Sequence, residues 1–152
     1  MLKYLGMVCG IAGADGYIKK WIDEQKNVSV RKIGKCNITR FRNKGAFYSF
    51  GARYPDEIRR LSGVVLLGVL VNWLVVVCSK RKKSLEKWGA TFLLSGSISN
   101  VWDRFYRKYV VDYIHLDIKG VRNIIFNLSD VCILLGGTML TIGKLLGMKK
   151  EK

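Results

Sequence analysis

The sequence predicts an all-α membrane protein, a bundle of four transmembrane helices with a small β-hairpin on one face. Two properties of the composition support this fold class. Of the 152 residues, 49% are hydrophobic, yet the formal net charge is +16. Soluble domains rarely combine the two, whereas in a membrane protein the helices carry the apolar residues and the loops carry the charge. The length suits a single domain, residues 1–152.

The strongest candidate span is LSGVVLLGVLVNWLVVVC, residues 61–78, which contains no charged side chain. As a helix it would be about 27 Å long, close to the ~30 Å hydrocarbon core of a bilayer. The basic run KRKK, residues 80–83, follows almost at once. A buried helix of a soluble protein has a similar composition, but the abrupt basic stop favours a helix that leaves a membrane.

Three weaker apolar segments predict the other helices: Leu2–Ile18, Leu85–Tyr106 and Ile124–Leu146. A cleaved signal peptide is the alternative for the first of them. Four helices put both termini on the same side of the membrane. The basic residues do not decide which side, because 17 of the 27 lie in connections 19–60 and 104–123, and long loops count for less under the positive-inside rule.

The long first connection contains two segments rich in Val, Ile, Thr and Phe. They are NVSVRKI (27–33) and CNITRFR (36–42), with Gly34 between them, and they predict a small hairpin. In the third connection VVDYIHLDI (110–118) predicts a strand or an interfacial segment. The expected result is a polar cap on one face of the bundle.

Carboxylates occur inside the apolar segments. Asp103 follows a stretch, residues 88–102, that contains no charged side chain, and Asp130 lies six residues into the predicted fourth helix. Helix geometry puts Asp103 about 7 Å and Asp130 about 9 Å beneath the same surface of the membrane. Asp15 lies about 21 Å along the first helix, near that level. A charge at such depth costs at least about 2.5 kcal/mol, so it normally faces the bundle interior and carries a function.

Two carboxylates that meet in a low-dielectric interior share one proton. The ionised carboxylate then takes a proton from water while the protonated one donates to a carbonyl oxygen, as in aspartic proteases. Asn100 and Asn127 each precede an Asp by three residues and therefore lie on its helical face. We expect each amide to orient its own carboxylate or to hold a substrate carbonyl.

A purely structural interpretation of these carboxylates remains open. Asp15 is placed to pair with Lys19 at i, i+4, and Asp103 with Arg104 or Lys108. Other catalytic chemistries lack the required residues in the sequence. His115 is the only histidine and is expected in a loop, and the four cysteines form no CxxC or Cys/His cluster. We expect no metal, no cofactor and no disulfide framework.

The sequence resembles the bacterial lipoprotein signal peptidase family, signal peptidase II, in five blocks. Two are the family's N-x-x-D-R and F-N-x-A-D signatures, which appear as NVWDR (100–104) and FNLSD (126–130). The others are YVVDYIHL (109–116), RNKGAFYSF (42–50) and DGYIK (15–19), which resemble V-V-D-F-I, N-x-G-A-A-F and D-Q-x-x-K. They follow the family's order and spacing.

The resemblance implies an aspartic endopeptidase of the bacterial cytoplasmic membrane. Such an enzyme removes signal peptides from prolipoproteins on the N-terminal side of a diacylglyceryl-modified cysteine. Its four transmembrane helices would have cytoplasmic termini, with a β-cradle and the active site near the extracytoplasmic face. The resemblance implies these roles: catalytic Asp103 and Asp130; substrate-binding Asn43, Asn100, Arg104 and Asn127; supporting Asp15 and Lys19.

The sequence also departs from the family pattern. SGSISN (95–100) replaces G-G-A-L-G-N, Gly16 replaces Gln, and Ser129 replaces Ala. An alternative is therefore a catalytically weak or inactive relative that binds lipidated peptides without cleaving them. A small proton-linked carrier would use intramembrane Asp residues, but it gives no reason for the five blocks. We expect prolipoproteins and membrane lipids as partners and a monomer, with no nucleic acid, because the positive charges are dispersed over both sides of the membrane.

Overall fold

The computed structural model describes residues 1–25, 31–33, 36–46, 50–80, 84–116 and 124–150. These ranges contain four long helices and four short strands. The elements in chain order are α1 (Leu2–Glu24), β1 (Arg31–Ile33), β2 (Cys36–Asn43), α2 (Pro55–Cys78), α3 (Ser84–Tyr106), β3 (Val110–Leu116), β4 (Ile124–Phe126) and α4 (Leu128–Lys150).

The four helices overlap the predicted segments but differ from them at several ends, and α2 begins at Pro55, six residues before Leu61. Helix α1 continues past Ile18 to Glu24, which brings Lys19 into the helix. Helix α4 begins at Leu128 rather than Ile124, because Ile124 pairs with Leu116 of β3 in the sheet. Among the described helices, two are long and apolar enough to cross a membrane, Pro55–Cys78 and Leu128–Gly147.

Helix α3 lies at the centre of the bundle and packs against the other three helices. The backbones of α3 and α4 are in close contact. A Cβ added to Gly96 would lie 2.3 Å from the carbonyl oxygen of Ser129, and one added to Gly136 would lie 2.4 Å from the amide nitrogen of Leu93. Glycine at the interface permits this approach. The consequence is that polar side chains of α3 and α4 meet directly.

Apolar side chains fill the end of the bundle that contains the N-terminal half of α1. This cluster is formed by Tyr4, Val8, Trp73, Val77, Ala90, Leu94 and Leu140. A smaller cluster of Ile22, Val111 and Tyr113 joins the other end of α1 to the sheet. The sheet therefore covers the end of the bundle where α1 and α3 finish and α4 begins.

The four strands form one antiparallel sheet in the order β1-β2-β3-β4. The predicted hairpin is confirmed where the structure describes it, with Ile33 opposite Cys36; residues 27–30 and Gly34 lie outside the described ranges. Of the two options for VVDYIHLDI, the strand is confirmed over Val110–Leu116. His115 therefore lies in β3, where it pairs with Asn37, and not in a loop.

Helix α2 exposes much of its apolar surface. Only 11% of its most apolar stretch is buried, and the exposed side chains include Leu61, Val64, Leu67, Val71 and Val75. Burial of such side chains away from water is the main driving force of folding, so a large apolar surface needs a non-aqueous environment. A surface of this extent is typical of a helix that faces lipid.

Candidate active site

Asp130 lies in the first turn of α4 and is held by Asn127. The main-chain N–H of Asn127 donates to Asp130 Oδ2 at 3.1 Å, and the main-chain N–H of Asp130 donates to Asn127 Oδ1 at 2.9 Å. This reciprocal pair has the geometry of a capping box. The Asn-x-x-Asp spacing therefore has a local cause, the start of a helix. Asp130 follows Leu128 by two residues and therefore lies only about 3 Å into α4.

Asn100 of α3 also contacts Asp130. Its side-chain amide Nδ2 donates to Asp130 Oδ1 at 2.8 Å. The spacing predicts that Asn100 orients Asp103, its neighbour on the same helical face, or holds a substrate carbonyl. The amide instead reaches Asp130 of α4. The close approach of α3 and α4 makes this contact feasible. Both oxygens of Asp130 therefore accept N–H donors from its surroundings.

Asp112 of β3 lies beside this group and is 3% exposed. Its Oδ1 accepts the side-chain amide of Asn127 at 2.7 Å, and its Oδ2 accepts the side-chain amide of Asn43 at 3.1 Å. Burial, and next the nearby charge of Asp130, raise the pKa of Asp112 to about 6. Asn127 thus contacts both carboxylates, through its side chain and through its main-chain N–H.

The sequence analysis did not include Asp112 among the site residues. Two signals pointed to it. It is a lone carboxylate in the apolar strand sequence VVDYI, and it falls in one of the five blocks that resemble the family. Both signals were weaker than the Asn-x-x-Asp repeat, because an isolated acid in a short strand is also found at ordinary exposed positions.

Asp103 lies between cations. Its Oδ1 forms an ion pair with Arg107, its Oδ2 accepts the main-chain N–H of Val111 at 3.1 Å, and Lys19 Nζ lies 3.8 Å from the same oxygen. The expected partners, Arg104 and Lys108, are not the ones it pairs with. In the described part of the chain, no hydrogen bond joins Asp103 to Asp130.

Asp15 and Lys19 form the predicted i, i+4 ion pair, at 2.7 Å, with both side chains fully buried. Asp15 also accepts hydrogen bonds from three hydroxyls: Ser99 at 2.6 Å, Ser129 at 2.5 Å and Tyr113 at 2.9 Å. Burial and the charge of Asp15 raise the pKa of Tyr113 above its usual range, so its hydroxyl stays a donor. Asp15 joins α1, α3, α4 and β3 at one point.

Arg104 and Asn43 connect the short segment after β2 to the site. Arg104 Nη2 donates to the carbonyl oxygen of Gly45 at 2.9 Å, and its Nη1 lies 3.3 Å from the carbonyl oxygen of Asn100. Asn43 contacts Asp112 and also binds the main chain of Gly45 and Ala46. The Nε of Arg104 is buried without a hydrogen-bond partner in the described structure. The predicted residues Asn43, Asn100, Arg104 and Asn127 therefore lie together around Asp112 and Asp130.

Residues 7–146 match a family model described as signal peptidase (SPase) II. The chain belongs to the signal peptidase II family. This confirms the resemblance found in the sequence and makes the protein an aspartic peptidase of lipoprotein processing, an enzyme whose family removes signal peptides from prolipoproteins.

Lipoprotein signal peptidases of other bacteria match most of this chain. The lipoprotein signal peptidase of Fusobacterium nucleatum is 33% identical over 78% of this chain and 70% of its own length. That of Clostridium acetobutylicum is 29% identical over 93% of this chain and 92% of its own. A solved structure described as a bacterial membrane enzyme has a TM-score of 0.85 and 20% identity, covering all of this chain and 93% of that one. It shows the same fold.

Proposed function

We propose that this signal peptidase II cleaves diacylglyceryl-modified prolipoproteins on the N-terminal side of the lipidated cysteine, with Asp112 and Asp130 as its catalytic pair. The observation that carries the proposal is the position of Asn127, which donates one hydrogen bond to each of the two carboxylates. Contacts from a single residue keep the two acids close together. The raised pKa of Asp112 then lets the pair retain a proton up to a pH of about 6.

Asp112 replaces Asp103 in the pair that the sequence analysis predicted. The contacts of the two residues differ in kind. Asp103 pairs with Arg107 and faces Lys19, and opposite charges favour the ionised form of a carboxylate. Among the described residues, the hydrogen bonds to the Asp112 carboxylate come from the neutral side-chain amides of Asn43 and Asn127, while Arg104 and Lys19 face it without forming an ion pair. Asp112 is therefore better suited than Asp103 to carry the catalytic proton, whereas Asp103 is better suited to form ion pairs.

In this mechanism a water molecule lies between the two carboxylates. The ionised carboxylate takes a proton from the water while the water oxygen bonds to the carbonyl carbon of the peptide. At the same time, the protonated carboxyl group donates its proton to the carbonyl oxygen. A neutral tetrahedral gem-diol forms. When it collapses, the C–N bond breaks, one proton passes to the leaving amine and one remains on the pair. We treat Asp112 and Asp130 as one titrating unit.

We further propose that all four helices span the bacterial cytoplasmic membrane, with both termini in the cytoplasm. The exposed apolar surface of α2 supports contact with lipid. The polar face of the sheet then lies outside the hydrocarbon, and the catalytic pair lies near the extracytoplasmic surface, where water has access. The substrate's acyl chains stay in the bilayer, and the enzyme works as a monomer because one chain carries the whole site.

The experiment compares single Asp→Asn variants in the cleavage of a purified diacylglyceryl precursor. Asp112→Asn and Asp130→Asn are expected to lower kcat by at least about a hundredfold, because general acid–base catalysis contributes that much. Asp103→Asn should retain more activity than either. Asp56→Asn, at an exposed ion pair at the start of α2, is the control. Wild-type activity in Asp112→Asn would return Asp103 to the catalytic pair.

A further inference from the structure

Lys19 is a fully buried cation whose ammonium hydrogens all have acceptors. Its Nζ lies 2.7 Å from Asp15 Oδ2, 2.7 Å from Asn100 Oδ1 and 3.1 Å from Ser99 Oγ. An ammonium group has three donors, so these contacts use every one of them. The position of the charge is therefore fixed by two helices, α1 and α3.

The contact with Lys19 determines which way the Asn100 amide points. An amide has an acceptor on one edge and donors on the other. Because Oδ1 faces the ammonium of Lys19, Nδ2 faces Asp130 Oδ1, at 2.8 Å. The reversed amide would place its NH₂ group against the ammonium and its oxygen against the carboxylate. Both contacts would then be repulsive.

A second set of contacts leads from Lys19 to Asp112. Lys19 Nζ lies 3.8 Å from Asp103 Oδ2, and that oxygen accepts the main-chain N–H of Val111 at 3.1 Å. Val111 directly precedes Asp112 in β3. The backbone beside Asp112 is therefore held by a carboxylate that faces Lys19. The contacts of Lys19 thus lead to both carboxylates of the proposed pair, through Asn100 to Asp130 and through Asp103 to the backbone beside Asp112.

We propose that Lys19 is a positioning residue for the catalytic pair, which fixes the Asn100 amide toward Asp130 and, with Asp103, holds the strand that carries Asp112. The inference rests on the proposed function. Within the described ranges, the charged and titratable groups around Lys19 come from four elements: Asp15 of α1, Asp103 of α3, Asp112 and Tyr113 of β3, and Asp130 of α4. Lys19 reaches Tyr113 through Asp15 and Asp130 through Asn100.

The test compares Lys19→Met with Lys20→Met. Lys20 is the neighbouring residue, its side chain is 66% exposed, and its ion pair with Glu24 is 3.9 Å long. With Lys19→Met we expect kcat to fall about tenfold or more, since small misplacements of catalytic groups have effects of this size. KM for the lipidated precursor should stay near its wild-type value. The acidic limb of the pH–rate profile should move to higher pH, because Asp130 loses a fixed N–H donor. Lys20→Met should change none of the three.

A double-mutant cycle separates positioning from simple loss of stability. If Lys19 acts through Asn100, Lys19→Met should reduce kcat much less in an Asn100→Ala background than in the wild type. The charge-balanced variant Asp15→Asn with Lys19→Met removes the ion pair as a unit, and it should show the same loss of kcat. Thermal unfolding of every variant identifies those that are folded.

Three outcomes would overturn the role of Lys19. They are a wild-type kcat and pH profile in either folded Lys19 variant, fully additive losses in the cycle, or unfolding of both Lys19 variants, which would assign Lys19 to stability alone. The proposed function fails separately. It is contradicted if neither the wild type nor Lys20→Met cleaves the precursor.

Discussion

The side-chain amide of Asn127, at the start of α4, donates a hydrogen bond of 2.7 Å to Asp112 in β3. The same residue caps α4 through its contacts with Asp130. A helix cap is usually a local feature that affects only stability. Here the cap also sets the spacing between two acids from different elements, so the start of α4 is part of the candidate active site.

Asn127→Ala should therefore damage both activity and stability. The variant loses the donor to Asp112 and the side-chain acceptor for the N–H of Asp130, while the main-chain donor to Asp130 remains. We expect kcat to fall by about tenfold to a hundredfold, because the two carboxylates are no longer held at a fixed spacing. Loss of the cap and of a hydrogen bond to a carboxylate should lower the free energy of unfolding by about 1–3 kcal/mol.

The measurements are cleavage of the lipidated precursor and thermal unfolding in detergent. Asn37→Ala is the control, since Asn37 is also a buried asparagine but lies in β2 opposite His115. A stability loss with unchanged kcat would show that Asn127 acts as a cap alone.

The helix contact between α3 and α4 gives a second prediction. Gly136→Ala would place a Cβ 2.4 Å from the amide nitrogen of Leu93, and neither backbone can move without separating the helices. We expect a loss of about 1–3 kcal/mol in the free energy of unfolding. We also expect reduced activity, because Asn100 of α3 reaches Asp130 of α4 only across this interface.

Gly137→Ala is the matched control, because a Cβ at Gly137 would have nothing within 4 Å. Alanine favours a helix over glycine by up to about 1 kcal/mol, so this variant should be neutral or slightly stabilised. Equal losses in the two variants, measured by thermal unfolding, would contradict close packing at Gly136.

The raised pKa of Asp112 gives a third prediction, for the pH dependence of cleavage. Burial and the charge of Asp130 raise this pKa from 3.8 to about 6, and the charged groups Arg104 and Lys19 also face the carboxylate. If the pair works with one proton, kcat/KM should fall as the pH rises through about 6. Substrate binding excludes water and disfavours the ionised form further. The descending limb of kcat should therefore lie at higher pH than that of kcat/KM.

The pH dependence of the free energy of unfolding should also reflect the titration of Asp112. Because the folded state binds this proton more tightly than the unfolded state, the contribution of Asp112 to stability decreases as the pH rises from 3.8 to 6. Asp112→Asn should remove that component from the thermal unfolding profile. Values of kcat/KM that do not change between pH 5 and pH 8 would contradict the raised pKa of Asp112.

The sequence predicted the elements of this fold better than the site. Long apolar segments and short segments rich in Val, Ile, Thr and Phe are local patterns, and they located α2, α3 and the β1–β2 hairpin. The start of α4 was misplaced because Ile124–Phe126 is as apolar as a helix, and only its pairing with β3 reveals a strand.

Within the site, local spacing predicted pairs of residues but not their partners. The i, i+4 rule correctly joined Asp15 to Lys19. The i, i+3 spacing suggested that Asn100 orients Asp103 or holds a substrate carbonyl, whereas the amide reaches Asp130. Contacts between elements depend on how closely helices approach, and a single sequence does not show that approach. Asp112 was overlooked for the same reason, since its partners come from β2 and α4.

Two of the serines that depart from the family pattern give a fourth prediction. Ser99 and Ser129 both donate to Asp15 Oδ2, at 2.6 and 2.5 Å. Ser129→Ala should lower the free energy of unfolding by about 1–2 kcal/mol, the usual cost of removing a hydrogen bond to a charged group. Ser99→Ala should cost at least as much, since Ser99 also accepts a hydrogen bond from Lys19.

Ser97→Ala is the control for both variants, because Ser97 is half-buried in the same helix as Ser99 and is not one of the donors to Asp15. It should leave thermal unfolding in detergent unchanged. The double variant Ser99→Ala with Ser129→Ala should lose more than the sum of the single losses, because Asp15 would then keep only Lys19 and Tyr113 as partners. If both single variants are as stable as Ser97→Ala, these hydroxyls contribute nothing to holding Asp15. The serines would then be neutral replacements for the small residues of the family pattern.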